Sequence, residues 1–345
     1  MNVLKYTLRK IISEYRLIKK YHWGSWWNYK HGFLPATISV CGIDKKNYKH
    51  FLSDADYIKG HPYNGVYSSI IDNKLYLPML LHEYSQNLPK YYFYKDKFGF
   101  LSLSKDFSRN ERWGNDVFFT LLRREKLLCA KHTHSSTGQG FMLIRYCEDT
   151  DTYFLNEKVI ALECLDKKVS MLDEYIITEY IHQHSYAADI CATSLNTIRF
   201  LCAWDFEKRE FFVARCFHRF GCNGNIVDNV GSGNGILVFV DTETGVMKSY
   251  GAINVNNVGD RYAENIIHPD KNILLTGIKI PNFQKIKEDL LKIANSISFL
   301  RWGGFDVAVT EDGFKIIEIN SLSSLVDQGR EGYLDDQRIK KVLKK

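Results

Sequence analysis

The C-terminal run Gly304-Phe-Asp-Val-Ala-Val-Thr-Glu-Asp-Gly-Phe-Lys-Ile-Ile-Glu-Ile-Asn320 carries the most pointed chemistry in the chain. Two alternating apolar segments flank a Glu-Asp-Gly turn, the pattern of a β-hairpin. If the loop is three residues centred on Asp312, Asp306 stands opposite Glu318, and Asn320 follows on the same face. A two-residue Asp-Gly loop would set Asp306 against Ile319 instead. Three oxygen donors on one face of a rigid hairpin suit Mg²⁺ and not zinc. Without a cation, clustered carboxylates repel and one pKa rises. The plainer reading is an ordinary hairpin whose polar face meets water.

Three further segments could do chemistry. Leu128-Cys-Ala-Lys131 reads as a strand delivering a lysine, followed by the loop His132-Thr-His-Ser-Ser-Thr-Gly-Gln-Gly140. Small residues there let backbone N–H groups approach phosphate oxygens, although a plain hairpin turn has the same composition. No GxxxxGK[ST] and no helix-opening GxGxxG occurs. The apolar strand of Tyr175-Ile-Ile-Thr-Glu-Tyr-Ile-His-Gln-His184 could offer backbone groups to an adenine edge, with Gln183 or His184 near a ribose. A buried linker strand would look the same. Arg199, Arg215 and Arg219 fall on strands, where a guanidinium needs an anion: phosphate, carboxylate or a core acid. The glycine-dense stretch 221–235 that follows fits a mobile substrate loop.

The elements that must position these residues are mostly strands. Alternation predicts strands at 98–104, 127–131, 141–146, 152–155, 158–161, 176–181, 196–204, 210–217, 235–240, 305–310 and 314–319. Helices are expected at 115–126 and 282–296, with a short one near Pro78 that ends by Leu88-Pro89. The class is α+β with large antiparallel sheets, not alternating βαβ. Residues 3–20 form a basic amphipathic helix that could lie on an anionic membrane face; packing on its own domain is the plainer reading. Residues 22–36 read as a Trp-rich loop, able to stack on sugars or simply to pack.

Composition bounds the rest. The 345 residues carry a net charge of +6, too little to argue for nucleic acid. Aromatic residues reach 14%, so a sizeable core is expected. The 8 cysteines form no CxxC pair, which argues against disulfides or a Cys-based zinc site and for a reducing cytoplasm. No apolar run approaches membrane-spanning length, and the N-terminus lacks the cleavage site of a secretory signal.

Taken in order, the motifs resemble the ATP-grasp superfamily, and within it the sugar-transfer-associated group found among polysaccharide and capsule genes. The resemblance rests on Asp72-Asn-Lys74, Ser194-Leu-Asn-Thr-Ile-Arg199, Arg219-Phe-Gly221, Val227-Asp-Asn229, His268-Pro269, Gly277, Ile280-Pro281 and Gly304-Phe-Asp306 to Glu318-Ile-Asn320. It implies two α+β subdomains clamping ATP, preceded by an N-terminal domain. The expected division is 1–95 for that helical, aromatic-rich domain, 96–182 for the small subdomain with the phosphate-binding lysine and glycine loop, and 183–345 for the subdomain with the Mg²⁺ and substrate site.

Carried onto this sequence, the resemblance implies that Lys74, Lys131, Ser136, Gly138 and Gly140 meet ATP phosphates. Glu179, Tyr180 and Ile181, with His184, would hold the nucleoside, and Asp306, Glu318 and Asn320 would bind Mg²⁺. Arg199, Arg215 and Arg219 would face the γ-phosphate or substrate. The expected activity is an ATP- and Mg²⁺-dependent carboxylate–amine ligase working through an acyl phosphate, with a glycan uronic acid and an amino acid or amine as substrates. One rival is a kinase acting on a sugar or polyol hydroxyl, with His218 or Asp228 as base. The other is a non-catalytic glycan-binding protein. The expected partner is a small molecule or glycan, and the expected location is the cytoplasm, with residues 1–20 offering contact to the inner membrane face.

Overall fold

The structure is a computed structural model, and it describes residues 26–108, 111–135, 138–230, 234–254 and 261–344. The expected basic helix at 3–20, Ser136 and the start of the Trp-rich segment lie outside these residues. The chain divides into two compact units: a smaller one, Ile70–His182 with Lys315–Glu318, and a larger one holding the rest. The described residues of the 1–95 stretch fall in both units. Up to Ser69 they group with the C-terminal part, and from Ile70 with the lysine-bearing strand.

The smaller unit is built on an eight-stranded antiparallel sheet in the order β3-β2-β1-β8-β4-β5-β6-β7. Its strands are β1 (Tyr91–Asp96), β2 (Gly99–Ser102), β3 (Arg112–Trp113), β4 (Leu127–His132), β5 (Met142–Cys147), β6 (Thr152–Leu155), β7 (Lys158–Ile160) and β8 (Tyr175–Glu179). The helix Asn115–Glu125 places Val117, Phe118, Leu121 and Leu122 on one stripe and buries them. Asp116 in its first turn and Arg123-Arg124 in its last complement the helix dipole. It stops where Lys126 turns left-handed at φ 66°. Phe93, Phe100 and Phe118 meet Phe107 and Trp113 in this core, which is where part of the aromatic surplus goes. The helix Leu162–Ser170 and strand β1 are additions to the expected elements.

The larger unit carries a sheet in the order β13-β12-β11-β10-β9-β16-β17. These are β9 (Ile198–Asp205), β10 (Glu210–Gly221), β11 (Gly235–Val240), β12 (Met247–Asn254), β13 (Arg261–Glu264), β16 (Trp302–Thr310) and β17 (Gly313–Asn320), with a small hairpin β14 (Ile267–His268) and β15 (Ile273–Leu274) beside it. Helix Phe283–Ser296 buries Phe283, Ile286, Leu290 and Ile293 at helical spacing, and Phe283 stacks on Phe200 of β9 at 5.5 Å. Gly245, at φ 74°, is required there, because a Cβ would lie 2.4 Å from the Phe283 ring.

The opposite core joins distant parts of the chain. Leu52, Tyr57 and Tyr63 pack with Trp302, Tyr333, Ile339 and Leu343. Asn64 Oδ1 accepts from the backbone N–H of Arg301 and Trp302, and Gln328 bonds both backbone groups of Leu52. The Trp-rich segment is partly helical: Trp26–Lys30 forms a short helix, with Trp26 exposed.

Candidate functional site

In the smaller unit the candidate residues gather at the end of β4. Lys131 lies across from Ile176 of β8, and the loop after His132 is tied down by the Asp72-Asn-Lys74 segment. Lys74 donates its N–H to Thr133 O at 3.0 Å and its Nζ to Ser135 O at 2.7 Å. The Asn73 amide meets His134 Nε2 at 3.2 Å. The Lys74 Nζ also stands 3.0 Å from Glu318 Oε2, an ion pair that is largely shielded from solvent. Two expected site residues, one from each end of the motif set, thus meet. Gly138 and Gly140 both adopt positive φ, and a Cβ on Gly140 would lie 2.6 Å from the Tyr175 hydroxyl. Only glycine lets Tyr175 close on that loop.

The strand expected to meet the nucleoside base runs on from β8. Glu179 pairs with Leu128, and its carboxylate bends back to accept the Lys90 N–H at 2.9 Å. Burial pushes the neighbouring Cys129 thiol up to about 11, against the pull of Lys131. Tyr180 and Ile181 follow, with Ile181 buried and burial raising the Tyr180 hydroxyl. Gln183 and His184 are bonded within the protein. The Gln183 amide donates to the carbonyls of Cys191 and Ser194 and accepts the Asn196 N–H. His184 caps the turn Ser185–Ala188 through Nδ1. Both brace the fold around Asn196.

The larger unit contains a buried ionic cluster. Strand register sets Arg199 of β9 directly beside Asp306 of β16 and Phe217 of β10. Arg199 grips Asp306 with both Nε and Nη2, the latter at 3.0 Å, and donates Nη1 to Ser323 Oγ at 2.9 Å. Arg219, two residues along β10 from Phe217, adds a bond to Asp306 Oδ2 at 2.7 Å and one to Thr197 Oγ1. Asp228 completes the set: it accepts the Thr197 N–H at 2.8 Å and stands 3.6 Å from Arg219 Nε. Burial raises the Asp228 carboxyl above its ordinary range, opposed by Arg219 and Thr197. A buried guanidinium requires such acids, because an unpaired charge at that depth costs several kcal/mol.

Two expectations change here. Arg215 stands apart from this cluster and points its guanidinium at the carbonyls of Gln328 and Gly332. It braces the C-terminal segment. His218 is buried, with Nε2 accepting from the Tyr186 hydroxyl at 2.7 Å and Nδ1–H donating to the Arg219 carbonyl at 3.0 Å. Burial depresses its pKa to about 3, so a locked, neutral imidazole replaces the expected base. Ser323 and Thr197 were outside the expected site, since a lone hydroxyl has no sequence signature.

The connection between β16 and β17 is Glu311-Asp312, which is neither of the loops expected for the hairpin. Asp306, Glu318 and Asn320 supply only oxygen donors, the chemistry Mg²⁺ takes. Each acid is already partnered by cations: Asp306 by two arginines and Glu318 by Lys74.

A family profile described as sugar-transfer associated ATP-grasp matches residues 54–339. No curated protein matches the chain. Among solved structures, the ATP-grasp ligase PsnB complexed with minimal precursor, Mg and ADP aligns at 10% identity and TM-score 0.38, over 82% of this chain and 62% of that one. The VanG D-Ala:D-Ser ligase from Enterococcus faecalis aligns at 10% identity and TM-score 0.43, over 80% and 60%. The D-alanine–D-alanine ligase from Bacillus anthracis aligns at 11% identity and TM-score 0.40, over 79% and 66%. The chain spans only 54% to 62% of the length of the PsnB structures.

Proposed function

Because the chain belongs to the sugar-transfer-associated ATP-grasp family, we propose that it is an ATP- and Mg²⁺-dependent carboxylate–amine ligase. The observation that carries this reading is the family match over residues 54–339, which takes in Lys74, Lys131, Glu179, Arg199, Asp306 and Glu318-Ile-Asn320. When bound, Mg²⁺·ATP supplies the phosphoryl group that turns a substrate carboxylate into an acyl phosphate, which an amine then attacks.

Lys131 and Lys74 are the cations assigned to the phosphates, with the backbone of Gly138 and Gly140 beside them. Lys74 is pre-placed for that task by its bonds to the loop carbonyl and Glu318. Glu179 to Ile181 offer backbone groups to the adenine. Asp306, Glu318 and Asn320 hold the metal, and the chemistry needs no side-chain nucleophile. Arg199 is a positioning residue: both edges of its guanidinium are spent on Asp306 and Ser323. Arg219 links Asp306 to the Thr197–Asp228 pair, which fixes the Asp306 carboxylate from a second side. The substrate pair we assign is a uronic-acid carboxylate on a glycan and an amino acid or other amine, on the strength of the family's association with sugar transfer alone. The proposed setting is polysaccharide or capsule synthesis in the cytoplasm.

The kinase alternative loses its clearest base, since His218 has both ring nitrogens engaged. Purified protein incubated with Mg²⁺·ATP, glycan uronates and amines tests the choice. Phosphate release that requires both co-substrates is expected. A phosphorylated acceptor formed without any amine would overturn the ligase reading.

A further inference from the structure

Away from the residues assigned to ATP, three side chains with metal-ligand chemistry come together in the larger unit. Cys191 follows the turn at Ser185–Ala188, and His268 and Asp270 lie at the β14–β15 hairpin. Their ligand atoms all lie within 4.8 Å of one another, with Cys191 and His268 buried and Asp270 exposed. We propose that Cys191, His268 and Asp270 form a binding site for a transition-metal dication, with Zn²⁺ the ion their donors suit.

Each ligand is oriented by a partner behind it. His268 Nε2 bonds the Gly221 carbonyl at 2.8 Å, which puts the proton on Nε2; Nδ1, which accepts the Asp270 backbone N–H at 3.3 Å, is the nitrogen a metal would take over. Metal-binding histidines use their second nitrogen in this way. Cys191 Sγ is held by the hydroxyls of Thr193 at 3.3 Å and Ser194 at 3.5 Å, while its own carbonyl is fixed by Gln183 and Asn196. Both Asp270 oxygens accept the Asn223 N–H at 3.0 Å. The thiol proton leaves to solvent as the metal–sulfur bond forms.

Thiolate, imidazole and carboxylate together select Zn²⁺ over Mg²⁺, whose preference is for oxygen alone. With Zn–N of about 2.0 Å and Zn–S of about 2.3 Å, tetrahedral donors stand roughly 3.3–3.8 Å apart. The observed spread exceeds that by about 1.5 Å at most, a shift the exposed Asp270 arm can supply. The fourth position is left to water. Such an ion would staple the Cys191 turn to the β14–β15 hairpin at the end of β10, close to Arg219. Sequence spacing hides the site because its thiol and its imidazole come from distant segments.

Cobalt(II) titration of the purified full chain tests this. One equivalent should bind with a thiolate-to-cobalt charge-transfer band, be displaced by Zn²⁺, and raise the thermal midpoint. The band should vanish in Cys191→Ser, weaken at least tenfold in affinity in Asp270→Asn, and persist in Cys164→Ser, which removes the exposed thiol. No band in the wild type, or a band that survives Cys191→Ser, overturns the proposal. If Cys191→Ser does not fold, Asp270→Asn decides, and unchanged affinity there overturns it equally.

Discussion

Asp306 accepts bonds from two guanidiniums at once, so the same carboxylate serves stability and the proposed metal. Removing it strands Arg199 and Arg219 at depth. Asp306→Ala should therefore lower unfolding free energy by about 3–5 kcal/mol, read from urea midpoints. Glu318 pairs with Lys74 and sees more solvent than Asp306. Glu318→Gln should cost about 1 kcal/mol or less while abolishing Mg²⁺·ATP binding by calorimetry. Equal stability losses in the two variants would refute the distinction. His218 gives a pH prediction. Its folded pKa of about 3 lies below the ordinary 6.5, so the unfolded chain binds the extra proton in that window. Stability is fully present above about pH 6.5 and is lost as pH falls toward 3. The loss is on the order of 4–5 kcal/mol across the window. Guanidinium midpoints measured from pH 4.5 to 7.5 should show the slope in the wild type and a flatter line in His218→Gln. A flat wild-type profile would contradict the locked imidazole.

At the scale of elements, the loop after β4 depends on two glycines with positive φ. Gly140→Ala adds a Cβ 2.6 Å from the Tyr175 hydroxyl and forces a left-handed alanine. A loss of about 1–3 kcal/mol is expected, together with weaker nucleotide affinity. Tyr175→Phe should recover part of this by removing the oxygen in the way; strictly additive effects would show that the two do not meet. Most of these elements were legible in the sequence. Short apolar or alternating runs mark β4 to β8 and β9 to β11, the central β9 and β11 being buried on both faces, and the 3.6 period marks Phe283–Ser296. Helix Leu162–Ser170 was missed because Lys167-Lys168 and few apolar positions weaken its stripe. For the site, strand arginines announced a need for acids, and Asp306 and Asp228 meet it for Arg199 and Arg219. Which acid goes with which arginine was not legible, since strand order 10-9-16 is a property of the whole sheet. The aromatic surplus resolves in the same way: Trp302, Tyr57 and Tyr333 converge only after the chain has folded back on itself.

At the scale of the molecule, the larger unit is discontinuous. Its described residues before Ile70 supply Leu52, Tyr57 and Tyr63 to the core around Trp302, and Tyr57 accepts the indole N–H of Trp302 at 3.1 Å. A fragment beginning at residue 70 should therefore lose that core face, and far-UV and near-UV circular dichroism should report a chain without fixed tertiary structure. A fragment with the full near-UV signal of the intact chain would show the N-terminal segment to be dispensable. Saturating Mg²⁺·ATP should stabilise the intact chain by mass action, by about 2.7 kcal/mol at 100 times Kd, and raise its thermal midpoint accordingly. The interlocked core has a further consequence during synthesis. Tyr57 and Tyr63 leave the ribosome well before Tyr333, Ile339 and Leu343, which pack with them, are made. At about 5–20 residues per second, those rings wait for tens of seconds without their partners. The nascent chain is thus sticky for most of its translation, and its yield in a cell should depend on holding chaperones more than its final stability would suggest.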